Sequence, residues 1–273
     1  MNSAILLLSC RDKKGIVAKI SDFIYRHKGN IEHADQHIDG ETLFMRIQWA
    51  LNKFDIADEK IILTLKPLID EFKMEAALHF TKDLPRVGIL VSRHVHCLYD
   101  LLLRHQEGQF KCTIPLIISN HQEARKIADY FSIKFVHAKS EVQAAAELKK
   151  ENIEIAVLAR YMQILSSKFV KKYKNRIINI HHSFLPAFAG GNPYEQAYAK
   201  GVKIIGATSH YVTAKLDDGP KIEQNTVRIS HRDTLDDLKR KGKDLEKLVL
   251  SRALRWHLER KILVYSNKTV IFD

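Results

Sequence analysis

From residue 87 onward the chain alternates short, unbroken apolar runs with segments of helical period. This alternation restricts the fold more than any other feature. Segments 87–91, 115–119, 134–137, 153–159 and 176–180 read as strands, and 87–91 and 153–159 have the continuity of strands buried on both faces. Between them, 97–104, 123–131, 141–151 and 167–173 read as helices. Parallel strands need crossover connections, so the pattern predicts an open, mostly parallel, Rossmann-like sheet with helices on both faces. Ligands bind such sheets beyond the C-terminal strand ends.

The first 80 residues follow a different order. A short apolar run at 4–9 reads as a strand, and Ile16, Ile20, Phe23 and Ile24 recur at helical spacing up to about Lys28, where Gly29 is a natural stop. Segments 31–39 and 42–51 flank an Asp39-Gly40 hairpin turn, 56–72 has helical period, and 74–80 closes as a strand. The order βαββαβ is the ferredoxin-like arrangement. Segment 81–86, carrying Pro85, reads as a short linker. The chain is therefore expected to be an α/β protein with domains at 1–81 and 87–273.

Composition narrows the function classes. An apolar content of 45% supports packed cores, and no stretch approaches the roughly 18–20 apolar residues of a membrane helix. The N-terminal apolar run is short, lacks a basic flank and ends in charge, so a cytoplasmic protein is expected rather than a secreted one. The formal charge of +12 raises nucleic acid as a partner. Basic residues are dispersed without a block, however, and a general lysine bias explains the charge better; neither nucleic acid nor membrane is expected as a partner. The three cysteines, Cys10, Cys97 and Cys112, form no C-x-x-C pair, so buried thiols are expected and no metal site.

Three segments carry candidate chemistry. At the end of the fifth strand of the second half, side chains alternate faces, so Asn179, His181 and Ser183 share one face while the run stays extended, and Ile178, Ile180 and His182 share the other. An amide can donate to a developing oxyanion, and an imidazole can move a proton near neutral pH. Two satisfied histidines in a polar loop are about equally compatible with these residues. A strand at 206–212 leads into Lys215-Leu216-Asp217-Asp218-Gly219-Pro220, whose carboxylates could orient a water, although spacing alone favours ordinary turn chemistry. Segment 158–166 stays apolar where a polar loop is expected. It is either core or the lining of a pocket for a flat heteroaromatic ligand, and the residues alone favour core.

The run NIHHSFLPAFAGGNPYEQAYAKGVKIIGATSHYVTAKLDDGPKIEQ closely resembles the signature of formyltetrahydrofolate deformylases, within the folate-dependent formyltransferase superfamily. ILLLSCRDKKGIVAKISDFIYRHKGNIEHADQHID resembles the ACT domain such proteins carry at the N-terminus, and LARYMQILS and HCLYDLL fit the same family. The resemblance covers nearly the whole chain in order. It implies Asn179, His181 and Asp217 as catalytic residues; the H-x₆-D-x-G-P spacing from His210 selects Asp217 over Asp218. It implies Tyr161, Met162, Gln163, Ile164 and Leu165 as a pterin-binding loop, with Ser183 and His210 as further substrate contacts. Gln163 stands where many transformylases have Arg.

The implied reaction is hydrolysis of 10-formyltetrahydrofolate to formate and tetrahydrofolate, supplying formate for purine synthesis and balancing the one-carbon folate pool. Neither a separate cofactor nor a metal is implied. The ACT half resembles small-molecule regulatory domains, which implies an amino-acid effector such as glycine or methionine near Asp12, Gly15, Ile16, Asn30 and Ile31, in a homodimer or homotetramer. A pure dimerisation module is an equal alternative. Glycinamide ribonucleotide transformylases have a Gly-rich phosphate loop where this chain has Ser92-Arg93-His94-Val95-His96-Cys97. These bulky side chains are expected to deny close backbone approach, as suits a protein in which water replaces the amine. Rival readings are a transformylase and a catalytically silent amino-acid sensor.

Overall fold

The computed structural model describes residues 2–188 and 190–273. They form two compact units that divide between Asp83 and Leu84. In the first unit β1 (Ser3–Arg11), α1 (Ile16–Arg26), β2 (Asn30–Asp39), β3 (Thr42–Ala50), α2 (Asp58–Phe72) and β4 (Glu75–Phe80) follow in the expected order. The sheet is antiparallel with order β2-β3-β1-β4. Leu6 and Leu8 of β1 and Ile47 and Trp49 of β3 point to one face, where Ile20, Ile24, Ile61 and Leu65 of the helices close the core. Gly40, at φ +61°, supports the two-residue hairpin between Asp39 and Thr42. β2 is a solvent-exposed edge.

The end of the chain departs from the expected 87–273 domain. Glu259–Leu263 and Val270–Asp273 belong to the first unit, and Val264–Thr269 to the second. The physical reason is visible at Arg46, a buried β3 residue whose Nε and Nη2 donate to the carbonyls of Arg260 and Glu259 at 3.0 and 3.3 Å. A buried guanidinium needs acceptors, and the returning backbone supplies them.

The second unit contains β5 (Arg86–Val91), α3 (His96–Gln106), β6 (Thr113–Ser119), α4 (Arg125–Tyr130), β7 (Lys134–His137), α5 (Glu141–Lys150), β8 (Ile155–Ala159), α6 (Ser167–Lys172), β9 (Ile177–His181), α7 (Pro193–Ala199), β10 (Ile204–Tyr211), β11 (Lys221–Arg228) and α8 (Leu235–Leu258). A short hairpin, β12 (Ile262–Tyr265) and β13 (Lys268–Ile271), follows. The seven-stranded sheet has order β11-β10-β9-β8-β5-β6-β7. β5 to β9 are mutually parallel, whereas β10 and β11 run antiparallel to their neighbours. β5 pairs with β6 on one side and β8 on the other, so the strand order reverses there and opens a crevice beyond the ends of β5 and β8. Ser92 and Arg160 stand at those two ends, linked by the Ser92 N–H to the Arg160 carbonyl at 3.2 Å. Among the described residues, no helix is long and apolar enough to cross a membrane.

Candidate active site

A pocket of about 250 Å³ opens beyond the C-terminal ends of β8 and β9. Asn179 and His181 reach it from β9, His210 from β10, and Asp217 from the turn that follows β10. Antiparallel pairing places His210 opposite Asn179 and Thr208 opposite His181. The turn is held against the end of β10 by the Tyr211 N–H, which donates to the Pro220 carbonyl at 2.9 Å. Gly219 makes that approach possible, because a Cβ there would lie 1.7 Å from the Tyr211 carbonyl oxygen. Asp217 itself adopts a left-handed backbone, φ +55°, a conformation that aspartate tolerates better than most residues.

The polar atoms form an ordered chain. His210 Nδ1 donates to the Tyr211 carbonyl at 3.0 Å, and its Nε2 accepts from Asn179 Nδ2 at 3.2 Å. Burial lowers the His210 pKa despite the Tyr211 contact and Asp217, and a neutral ring suits this donor–acceptor order. His210 thereby orients the Asn179 amide and leaves its second N–H for a ligand. His181 Nδ1 lies 3.3 Å from Asp217 Oδ1, with His210 Nε2 at 3.8 Å from the same oxygen. Burial alone would raise the Asp217 carboxyl, but the hydrogen bond and charge of His181, with His210 and the Gly190 N–H, hold it below its ordinary value. His181 Nε2 is buried without a hydrogen-bond partner among the described residues. The group therefore combines an ionised carboxylate, an imidazole with an uncommitted nitrogen and an oriented amide donor, which suits addition of water to a carbonyl.

The structure brings Tyr161, Met162, Gln163, Ile164 and Leu165 to the same pocket. The residue-level reading of this segment as core is corrected: Met162 is 57% and Ile164 78% exposed, although Tyr161 is buried. Ser183 is corrected as well. The strand ends at His181, and Ser183 is buried outside the pocket lining, donating to the Ala187 carbonyl at 2.7 Å. His182, assigned to the opposite face by alternation, also lines the pocket.

The proposed effector residues do not converge within one chain. Asp12 and Gly15 follow the end of β1 that pairs with Thr42, whereas Asn30 starts β2 opposite Ala50 at the other end of β3. Nine residues at about 3.4 Å each separate these ends by roughly 25–30 Å. Ile16 is moreover buried in the core, while Asn30 and Ile31 are exposed.

A second polar cluster escaped the sequence reading. Glu246 of α8, almost fully buried, accepts from Tyr194 Oη at 2.6 Å, lies 2.9 Å from His96 Nε2, and lies 3.4 Å from Arg160 Nε. Burial would raise its carboxyl, yet His96, Arg160 and Tyr194 together push it down to about 2. The available signal was a lone acid inside the apolar stripe of Leu245, Val249, Leu250 and Ala253. His96, Cys97 and Glu246 are close enough to share a metal ion. The neighbouring Arg160 and a thiol that burial keeps protonated oppose a cation there.

The chain matches the Formyl transferase family model over residues 85–254 and the ACT domain model over 4–70. It is 50% identical to a formyltetrahydrofolate deformylase of Synechocystis sp., spanning 99% of this chain and 98% of that protein. A Bacillus subtilis protein of the same name is 43% identical over 98% of this chain and 93% of its own length. Among solved structures, a formyltetrahydrofolate deformylase from Pseudomonas syringae superposes with a TM-score of 0.96 at 42% identity, covering 100% of this chain and 95% of that one. A glycinamide ribonucleotide transformylase from Symbiobacterium toebii covers 72% of this chain and 98% of its own, with a TM-score of 0.67 and 29% identity. The deformylase matches run over nearly the whole chain, whereas the transformylase likeness covers 72% of it. The chain belongs to the formyltetrahydrofolate deformylase family.

Proposed function

We propose that this protein hydrolyses 10-formyltetrahydrofolate to formate and tetrahydrofolate, with no separate cofactor. The observation that carries the reading is the convergence of Asn179, His181, His210 and Asp217 on a pocket bordered by the exposed apolar side chains of Met162 and Ile164. Apolar side chains exposed beside a polar cluster suit a flat heteroaromatic ring whose formyl group meets the polar end. The metabolic consequence is release of formate for purine synthesis and recovery of free tetrahydrofolate.

Asp217 positions a water and takes its proton as the water oxygen adds to the formyl carbon. The free Asn179 N–H and protonated His181 hold the resulting oxyanion. Collapse breaks the bond to N10, which takes its proton from His181 or through a water. The formyl group leaves as formate, and the remaining proton passes to solvent. Amino-acid control by the ACT unit, if it uses both the 11–16 turn and the start of β2, requires two copies of the chain, because one copy holds them at opposite ends of its sheet.

The reading is tested by incubating the protein with 10-formyltetrahydrofolate in ¹⁸O-water without any amine. Formate carrying one solvent oxygen is expected. Formyl transfer that occurs only when an amine acceptor is added, with no formate released in its absence, makes the protein a transferase and overturns the reading.

A further inference from the structure

A second cavity of about 220 Å³ lies beside the reaction pocket in the same unit. Arg160 and His182 line both cavities, so these two residues stand where the two spaces adjoin. The bulky side chains after β5 were expected to deny a ligand close approach to the backbone there. His94 and His96 of that segment line the cavity, together with Lys239, Lys243 and Glu246 of α8.

The cavity selects by charge. Arg160, Lys239 and Lys243 face the carboxylates of Glu195 and Glu246, leaving a single net positive charge when the histidines are counted neutral. Burial, and then the Arg160 charge, lowers the pKa of His94 and takes that of His182 to about 3, so protons on these rings do not add to it. The distribution is uneven. Lys239 is spent on Glu195 at 2.8 Å, and Glu246 is saturated by His96, Tyr194 and Arg160. Lys243 makes no ion pair among the described residues. Arg160 is a buried side chain whose guanidinium makes no hydrogen bond among the described residues; its Nε approaches Glu246 only at ion-pair distance. A buried guanidinium with unused donors is costly to leave unmatched, and a planar carboxylate matches its fork.

We propose that this second cavity is the exit site for formate: the product carboxylate passes from the reaction centre to the Arg160 guanidinium and is drawn out by Lys243. This rests on the hydrolase reading, which supplies formate on the other side of Arg160. The cavity fits the task in size, since a water takes about 30 Å³ of liquid and the space holds the smallest carboxylate with several waters. It also fits in sign, since the net positive charge matches a monoanion. Arg160 is held from behind by the Glu246 hub, so its guanidinium is positioned without being consumed.

The test is binding of ¹³C-formate by NMR to the full-length protein, without folate, in the wild type and in Lys243→Arg and Lys243→Glu. Lys243 is exposed on α8 and both substitutions suit a helix, so folding is preserved. Wild-type binding is expected to persist in Lys243→Arg and to weaken about tenfold or more in Lys243→Glu. As a product inhibitor, formate is expected to lose potency in the same order, with KM for 10-formyltetrahydrofolate within about twofold. Absence of formate binding to the wild type, or equal binding in Lys243→Glu, overturns the exit site. Absence of hydrolysis by a wild type that does bind formate overturns the hydrolase reading instead, which keeps the two failures distinct.

Discussion

Two histidine–carboxylate clusters belong to the second unit, one at the ends of β9 and β10 and one among α3, α7 and α8, and they are built to opposite standards. Around Glu246 the contacts are short and complete: His96 at 2.9 Å, Tyr194 at 2.6 Å, with Arg160 adding its charge. Around Asp217 they are long and incomplete: His181 at 3.3 Å, His210 at 3.8 Å, and His181 Nε2 without a partner among the described residues. The Glu246 carboxylate has its oxygens committed to His96, Tyr194 and Arg160, so it stabilises a local arrangement and accepts nothing further itself. Hydrogen-bonding capacity left open at the wall of a pocket is what a reacting water and an oxyanion require. The contrast teaches that the functional cluster is recognised by what its atoms have not yet bonded.

Glycine substitutions break the contrast most sharply. Gly219→Ala drives a Cβ into the Tyr211 carbonyl and is expected to displace the turn carrying Asp217, abolishing measurable formate release. Circular dichroism and folate binding check that the sheet persists, and near-normal turnover would show that the turn does not set the site.

The Glu246 cluster is expected to matter for stability instead. Glu246→Gln leaves Arg160 without its counter-charge and is expected to cost about 3–5 kcal/mol near neutral pH in denaturant titrations. The sign of its pH dependence follows from a folded pKa of about 2 against an ordinary 4.5. The wild-type advantage is full above about pH 4.5 and shrinks as pH falls towards 2. An advantage that grows on acidification would contradict the hub. Asn179→Ala sharpens the comparison from the other side. It removes one oxyanion donor, with a loss of about 10²–10³ in kcat, little change in folate KM, and melting temperature nearly unchanged. A raised KM with intact kcat would move Asn179 from catalysis to binding.

The Asp217 side of this contrast was legible in the sequence, for reasons that also explain the failures. Alternation placed Asn179 and His181 on one face because β9 stays regular as far as His181. It failed at Ser183 because the chain has left the strand, and that hydroxyl serves the loop through Ala187. Segment 158–166 read as core because apolarity is the same whether protein or ligand covers it; the exposure of Ile164 is a property of the fold alone. Glu246 was visible as an acid in an apolar stripe, yet its partners come from residues 96, 160 and 194, separations that no local pattern reports. The placement of the last residues with the first unit likewise depends on Arg46, more than 200 positions away.

The most direct test of the account is formate release from 10-formyltetrahydrofolate, with no amine present, by Asp217→Asn beside the wild type. The substitution keeps the shape of the side chain and removes its charge and basicity. The account predicts a loss of at least about 10²–10⁴ in kcat, with tetrahydrofolate binding and melting temperature close to wild type. Wild-type turnover by Asp217→Asn would contradict it, because the water would then be activated by something other than this carboxylate.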